Sequence, residues 1–445
     1  MHRVGVLLLL ALGAVAWGQS ENEAVGTTTA ATNQEATADG TLTLDEALIL
    51  ARQRNGDVRS AFLSVQAAEA NLRASRSAFL PTLTANLRRE DGRFEQYTGF
   101  RRGQDINQTS SSVTLNYLIL DSDRSTTYEI ASLNSDITYL NSRQTFRTVL
   151  FNVHSRFYDA LRAQELLRVR EAQLRRSEEL LRATEARVNA GDTPPKDILQ
   201  ARADFLNARA SELQARNQVN TAEANLKAIL GLTDEELPQL VSNAQPSASV
   251  TETDLPALVA QAKERRPDIV AARRQVDSRR LNLRQARLDT SIAYSLSAQY
   301  TRSFNDDVTD RPSLVFQASY PLYDGNQVRS RVSAAEFQVE AQRFSLEQAE
   351  RDVTAEVEAT VKEYTQNALL LEASNLALEA AQLNYNAASE AQRLGASDLI
   401  EVLTAQVTLV TAETNRVQAL YDLLISEVRL DLVVGDPLPG ELVQE

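Results

Sequence analysis

A chain of 445 residues with no cysteine and two histidines cannot build a disulfide framework, a thiolate metal centre or a sulfur-linked lipid anchor. Its formal net charge of −14 argues against a nucleic-acid partner and against adhesion to anionic lipid. After residue 20 no apolar run reaches the ~18 residues a membrane helix needs, so a bilayer crossing would have to use strands.

Residues 1–18 join Arg3, an apolar run from Val4 to Trp17 and small residues at Ala14, Ala16 and Gly18, the pattern of a secretory signal peptide. Residues 19–41 are polar and aperiodic, which predicts a flexible tail. Structure is expected from Leu42. There LTLDEALILARQRNGDVRSA (42–61) recurs as TDLPALVAQAKERRPDIVAA (253–272), pairing Leu44 with Leu255 and Asp57 with Asp268 at a shift of 211.

Farther along, YLILDS (117–122) aligns with YPLYDG (320–325), Gly191 with Gly395 and Gly231 with Gly435, at a shift of 203 or 204. The lost residues are expected in the connection between two strands. Spacing held this well at low identity predicts an internal duplication. The expected division is a first repeat 42–231, a linker 232–252, a second repeat 253–435 and a tail 436–445.

Each repeat carries two alternating segments. Leu83, Ala85 and Leu87, then Val113, Leu115 and Tyr117, alternate with polar residues; Leu296, Ala298 and Tyr300, then Leu314, Phe316 and Ala318, do the same. Four strands with one apolar and one polar face follow. Segments 89–109 and 302–312, with Phe94, Tyr97, Phe100 and Phe304, read as polar loops. Strands of ~10 residues with this alternation suit a transmembrane wall, although a half-buried sheet on a soluble domain is the commoner source of the pattern. Four strands cannot close around water, so the membrane reading requires several copies.

Neither Gly nor Pro occurs in 104–190, 326–394 or 396–434, which predicts long helices. Seven-residue repeats through Leu167, Leu174, Leu181 and Val188, through Ala373, Ala380, Ala387 and Leu394, and through Leu403, Val410, Val417 and Leu424 predict coiled-coil seams. A helix from Ser122 to Ala190 would be roughly 100 Å long at ~1.5 Å per residue. Gly191 in VNAGDTPPKDIL and Gly395 in QRLGASDLIEVL then mark reversals between helices, since Gly accepts the left-handed conformation that ends one. Pro194 and Pro195 suit the first turn of the returning helix, and Asp192, Thr193, Ser397 and Asp398 are candidate N-caps. No metal-ligand spacing, phosphate loop or nucleophile motif is present, so no catalysis, cofactor or metal is expected, and His154 reads as a packing residue.

The duplicated order helix, strand, strand, long helix, turn, helix, with YPLYDG at a strand exit and the paired glycine turns, resembles the TolC family of trimeric outer-membrane export channels over about 42–437. The resemblance implies a mainly α fold with a transmembrane β-barrel: a homotrimer in which each chain gives four strands to a twelve-stranded barrel. The twelve apolar strand residues named above would face outer-membrane lipid. The barrel would continue into a long periplasmic coiled-coil cylinder, anchored in the outer membrane of a Gram-negative-type cell. The implied role is the passive exit duct of a tripartite efflux or type I secretion system. Its partners would be a periplasmic adaptor (membrane fusion) protein and an inner-membrane pump of RND, ABC or MFS type.

The same resemblance assigns adaptor docking to Val188, Asn189, Ala190, Gly191, Asp192 and Thr193 and to Arg393, Leu394, Gly395, Ala396 and Ser397. It assigns the closed entrance to Glu401 and Asp197, each six residues after its glycine, with Asp398 and Asp192 beside them. Acids in a first turn are also ordinary helix chemistry. Some relatives carry an Arg two residues after the second glycine that helps hold the entrance shut; here Ser397 stands there, and Arg393 is the nearest substitute. The rival reading is an elongated periplasmic or surface coiled-coil spacer or adhesion protein whose strands form a cap.

Overall fold

A computed structural model describes residues 41–94, 104–120, 122–232, 236–241, 254–288, 292–304 and 308–441. The leader, nearly all of the expected tail, the loop aromatics Tyr97 and Phe100, most of the linker and residues 442–445 lie outside them. In chain order the elements are β1 (Thr41–Leu42), α1 (Leu44–Arg54), α2 (Gly56–Arg76), β2 (Thr82–Phe94), β3 (Gln104–Leu120), α3 (Ser122–Asn189), α4 (Lys196–Leu230) and β4 (Gln239–Leu240). The second repeat gives α5 (Leu255–Arg265), α6 (Pro267–Leu288), β5 (Ala293–Phe304), β6 (Val308–Ser319), α7 (Gln327–Arg393) and α8 (Leu399–Val434).

Local chemistry sets the helix boundaries. Thr43 and Glu46 form a reciprocal capping box that opens α1. Asn55 ends that helix and starts the next: its Oδ1 accepts from the Asp57 and Val58 amides at 2.9 and 3.2 Å, and its Nδ2 donates to the Ile229 carbonyl at 2.9 Å. Arg266 takes its place between α5 and α6, donating to Asp268, Glu356 and the Val433 carbonyl.

The four long strands form one antiparallel sheet in the order β2-β3-β5-β6. Its register runs Leu83, Leu115, Ala298, Leu314 across one row, Ala85, Val113, Tyr300 across the next, and Tyr117, Leu296, Phe316 across a third. Cross-strand partners share a face, so all the apolar residues named from the alternation lie on one side of the sheet.

The strands also run beyond their expected ends. Residues 89–94, 104–109, 302–304 and 308–312 continue the ladder instead of forming loops. The face that was apolar becomes charged there: Arg89 pairs with Asp91 at 2.9 Å and Arg302 with Asp310 at 3.2 Å. The alternation of hydrophobicity ends there, while backbone pairing does not. Pro312 lies on β6, the edge strand of the chain's own sheet, opposite Tyr300. The residues that the second repeat lacks are thus shared between shorter strands (12 and 12 residues against 13 and 17) and a shorter connection.

At 68 and 67 residues, α3 and α7 are each roughly 100 Å long. On the sheet side α2, α3, α6 and α7 are neighbours in that order; on the far side α4 packs on α3, α3 on α8 and α8 on α7. The largest core lies at mid-length. Leu42, Leu48, Leu150, Val153, Phe157, Leu226 and Leu230 pack there beneath the parallel pair β1-β4. His154 sits in this core with Nδ1 at 2.8 Å from the Leu150 carbonyl; burial pushes its pKa down.

One expected seam is displaced. On the tip-side half of α7 the buried positions are Ser374, Ala381 and Ala388, whereas Ala373, Ala380, Ala387 and the following Leu394 are exposed. Paired alanines at 380–381 and 387–388 support either register. Packing against Val402, Ala405, Leu409 and Ala412 of α8 selects the second.

Candidate functional site at the paired helical tips

Both hairpins close in the same way. Gly191 (φ +82°) follows α3, with its amide on the Val188 carbonyl at 3.0 Å and the Asp192 amide on Arg187 at 2.9 Å. Gly395 (φ +75°) follows α7, with its amide on Gln392 at 3.0 Å and the Ala396 amide on Ala391 at 2.8 Å. These bonds satisfy the last helical carbonyls, and only the backbone conformation demands glycine, because a Cβ at either position would meet open space.

The returning helices start differently. Asp398 caps α8 by accepting from the Glu401 amide at 3.0 Å, and the Ser397 hydroxyl donates to the Glu401 carboxylate. At the first tip neither Asp192 nor Thr193 caps α4, contrary to expectation. Pro195 precedes Lys196 with φ −58° and ψ −24°, and the Asp197 amide donates to the Pro194 carbonyl at 3.0 Å. The two prolines begin the turn through their own fixed φ, which leaves the Thr193 hydroxyl buried without a partner.

The tips converge on a cleft of about 830 Å³. Asp192, Asp197, Asp398 and Glu401 all line it, beside Lys196 and Arg187. Four acids from two distant parts of the chain therefore share one space. The outermost residues Asn189, Ala190, Leu394 and Ala396 are exposed around it, while Val188 and Thr193 are half-buried. Arg393 does not bridge the hairpins. It pairs with Glu390 on its own helix at 2.6 Å, which lowers the Glu390 carboxyl pKa.

The bridge is made by Arg187, whose Nη1 donates to the Gln392 carbonyl at 2.8 Å. Three more links join the hairpins above it. Gln406 of α8, 1% exposed, donates to Ser177 at 2.8 Å and to Asp204 at 3.2 Å; Ser177 donates to Asp204 at 2.5 Å. Arg176 holds both oxygens of Glu413, at 3.2 and 2.9 Å, and Arg162 reaches Asp422 at 2.7 Å. The readable signal was Gln406, a polar residue on the apolar stripe between Val402 and Val410. Nothing in the local sequence of Arg187 pointed to its carbonyl.

A sheet with one apolar face, carried on helices too long for a compact domain and ending in a shared acidic cleft, has the arrangement that the resemblance to export channels implies. The family model described as "Outer membrane efflux protein" matches residues 47–232 and 258–436. The chain belongs to that family, and the match falls in two parts that follow the repeats. The outer membrane protein TolC of Escherichia coli (strain K12) is 26% identical over 409 residues, covering 86% of this chain and 80% of that protein. The alkaline protease secretion protein AprF of Pseudomonas aeruginosa is 22% identical over 349 residues, covering 76% and 71%.

Among solved structures, the CmeC outer membrane channel of Campylobacter jejuni superposes with a TM-score of 0.78 at 16% identity, covering 98% of this chain and 92% of that one. The open-state MtrE channel of Neisseria gonorrhoeae gives 0.72 at 18% identity, covering 88% and 89%. The fold is that of these channels. The protein is an outer-membrane export channel component of a Gram-negative-type cell, and the spacer reading is set aside.

Proposed function

We propose that three copies close into one duct, with twelve strands through the outer membrane and a helical cylinder below. The observation that carries this reading is the duplication itself. Inside the chain, α6 lies between α3 and α7 and buries Pro267, Ala271 and Ser278, the last with its hydroxyl donating to Asn134 of α3 at 3.4 Å. Shifted by 211, those positions on α2 are Gly56, Ser60 and Ala67, all small and all exposed.

The counterpart of α3 is α7, which exposes Phe337 (76%) and Phe344 (64%) at a seven-residue interval. Packing α7 of one copy on α2 of the next repeats the internal contact, and it brings the free edges of β6 and β2 together. Two copies would give eight strands, an interior that side chains fill; three leave room for water and remove every sheet edge. Exposed Leu199, Leu206 and Leu213 on α4, and Leu369, Leu376 and Leu383 on α7, are further seams of the coiled-coil type open to partner helices.

In this assembly the apolar sheet face meets lipid from Leu83, Ala85, Leu87, Val113, Leu115 and Tyr117 through Leu296, Ala298, Tyr300, Leu314, Phe316 and Ala318. The tips dock a periplasmic adaptor through residues 188–193 and 393–397. Asp192, Asp197, Asp398 and Glu401 ring the entrance, which the links between hairpins hold narrow. An inner-membrane pump of RND, ABC or MFS type supplies the energy, and the duct performs no chemistry of its own.

The test is single-channel conductance of the purified protein in planar bilayers, wild type beside Glu401→Ala, with reversal potentials under a salt gradient. Small cation-selective steps that lose selectivity in the variant support the reading. Protein that stays soluble without detergent and conducts nothing overturns it.

A further inference from the structure

A groove of about 620 Å³ lies at mid-length between α1, α2, α3 and the segment after α8. That volume is within the range of small-molecule sites. Its lining includes the aromatic rings of Phe62, Phe146 and Tyr139, with Val58; Phe62 and Tyr139 are 58% and 48% exposed. Arg52, Arg59 and Arg143 stand around it, against one acid, Glu441, among the described lining residues. Glu441 is already engaged, since Arg147 holds it at 2.8 Å, Arg143 touches it at 3.4 Å and the Leu438 amide donates to it at 3.1 Å. Among the described residues, no hydrogen bond or ion pair engages the guanidinium of Arg52 or Arg59.

The duplication supplies an internal control. Phe62 and Phe146 correspond, at shifts of 211 and 204, to Arg273 and Glu350, which form an ion pair at 3.0 Å in the second repeat. Arg59 corresponds to Val270. The second repeat therefore fills this position with a closed charge pair. The first replaces the pair with two aromatic rings and adds a cation at the rim. Scaffold geometry does not require the change, because both repeats make the same helix packing.

We propose that this groove binds a single-chain anionic amphiphile with a carboxylate head, its apolar chain against Phe62, Phe146 and Tyr139 and its head on Arg52 and Arg59. Guanidinium groups match carboxylates in a two-point geometry, and aromatic walls desolvate the chain. The site is separate from the tips, and its occupancy does not depend on how the entrance opens.

The experiment uses the full protein in detergent-free nanodiscs of zwitterionic lipid, with a diazirine-bearing twelve-carbon carboxylate as probe and mass spectrometry as readout. Crosslinks are expected on peptides containing Phe62, Tyr139 or Phe146, competed by laurate but not by tenfold more dodecyl maltoside or dodecyltrimethylammonium. Arg52→Gln with Arg59→Gln should weaken labelling at least tenfold, with oligomeric state and thermal midpoint unchanged. Phe62→Glu, at another exposed position, should abolish it by repelling the head. No crosslink on those peptides, equal competition by the uncharged amphiphile, or unchanged labelling in the double variant would overturn the proposal. Dodecyl phosphate competing more than tenfold better than laurate would overturn the carboxylate head.

Discussion

Arg187, two residues before the end of α3, places Nη1 2.8 Å from the main-chain carbonyl of Gln392 near the end of α7, so the two helical hairpins are tied at their tips by one side chain. Higher up, Arg176 and Glu413 add a two-point ion pair with both side chains about four-fifths buried. A ladder of such bonds holds the hairpins against splaying.

Removing rungs should widen the entrance. Arg187→Ala breaks one hydrogen bond from a charged donor and Arg176→Ala a two-point pair, each worth about 1.5–3 kcal/mol. Single-channel conductance is expected to rise severalfold in the double variant, with Arg176→Ala the larger single effect. Arg176→Lys should recover only part of the closure, because an ammonium cannot span both Glu413 oxygens. Unchanged conductance in the double variant would mean that the ladder does not set the aperture.

Two glycines with the same backbone hand should respond differently to alanine. At Gly191 (φ +82°) there is open space, so Gly191→Ala costs about 1 kcal/mol of conformational strain. At Gly231 (φ +71°) a Cβ would fall 2.8 Å from the Arg54 carbonyl oxygen, so Gly231→Ala must also push α1 off the end of α4. Thermal melts of the reconstituted protein should show a clearly larger loss at 231 than at 191.

The mid-length region carries two groups with opposed pH responses. Burial, reinforced by Asp436 and Glu427 and opposed by Arg147, raises the Asp431 carboxyl to about 6. A raised folded-state pKa gives stability that is complete below the ordinary carboxylate range and is lost as pH climbs through about 6. Asp431→Asn should therefore melt higher than wild type at pH 8, with the difference shrinking toward pH 4. His154, whose pKa is lowered by burial, works the other way: its contribution is present above 6.5 and is lost on acidification. His154→Gln should reduce the acid-side loss, as read by melting midpoint against pH.

Adjacent residues of β3 should separate the two faces of the sheet. Leu115 lies in the apolar row and Thr114 on the opposite face. Leu115→Arg is expected to destabilise the membrane-inserted protein by about 2–4 kcal/mol near mid-bilayer, while Thr114→Arg leaves assembly intact and narrows the lumen. Equal yields of folded, heat-resistant oligomer from both variants would contradict the assignment of faces.

Much of this architecture was legible from residues because its signals are local. A glycine in the left-handed conformation, a two-residue alternation and a long run without Gly or Pro each depend on a few neighbouring residues. They placed both reversals, the shared face of four strands and the extent of the long helices. The duplication was readable because spacing outlasts identity. What depends on a partner across space was not readable: the strands continue where alternation stops, because backbone pairing needs no apolar side chain.

The seam of α7 lies one residue from its expected place, since neighbouring alanines leave the choice to α8. Asp192 and Thr193 are typical caps by composition, yet Pro194 and Pro195 already start the helix. Arg187, not Arg393, ties the tips, because a long side chain takes whichever acceptor packing brings within reach: Glu390 one turn back for Arg393, and a carbonyl of the opposite hairpin for Arg187. The sequence by itself determined the long helices, the four long strands and their order; the tertiary structure alone decided the short parallel pair β1-β4 and which side chains join the hairpins, because those bonds form between residues some two hundred positions apart.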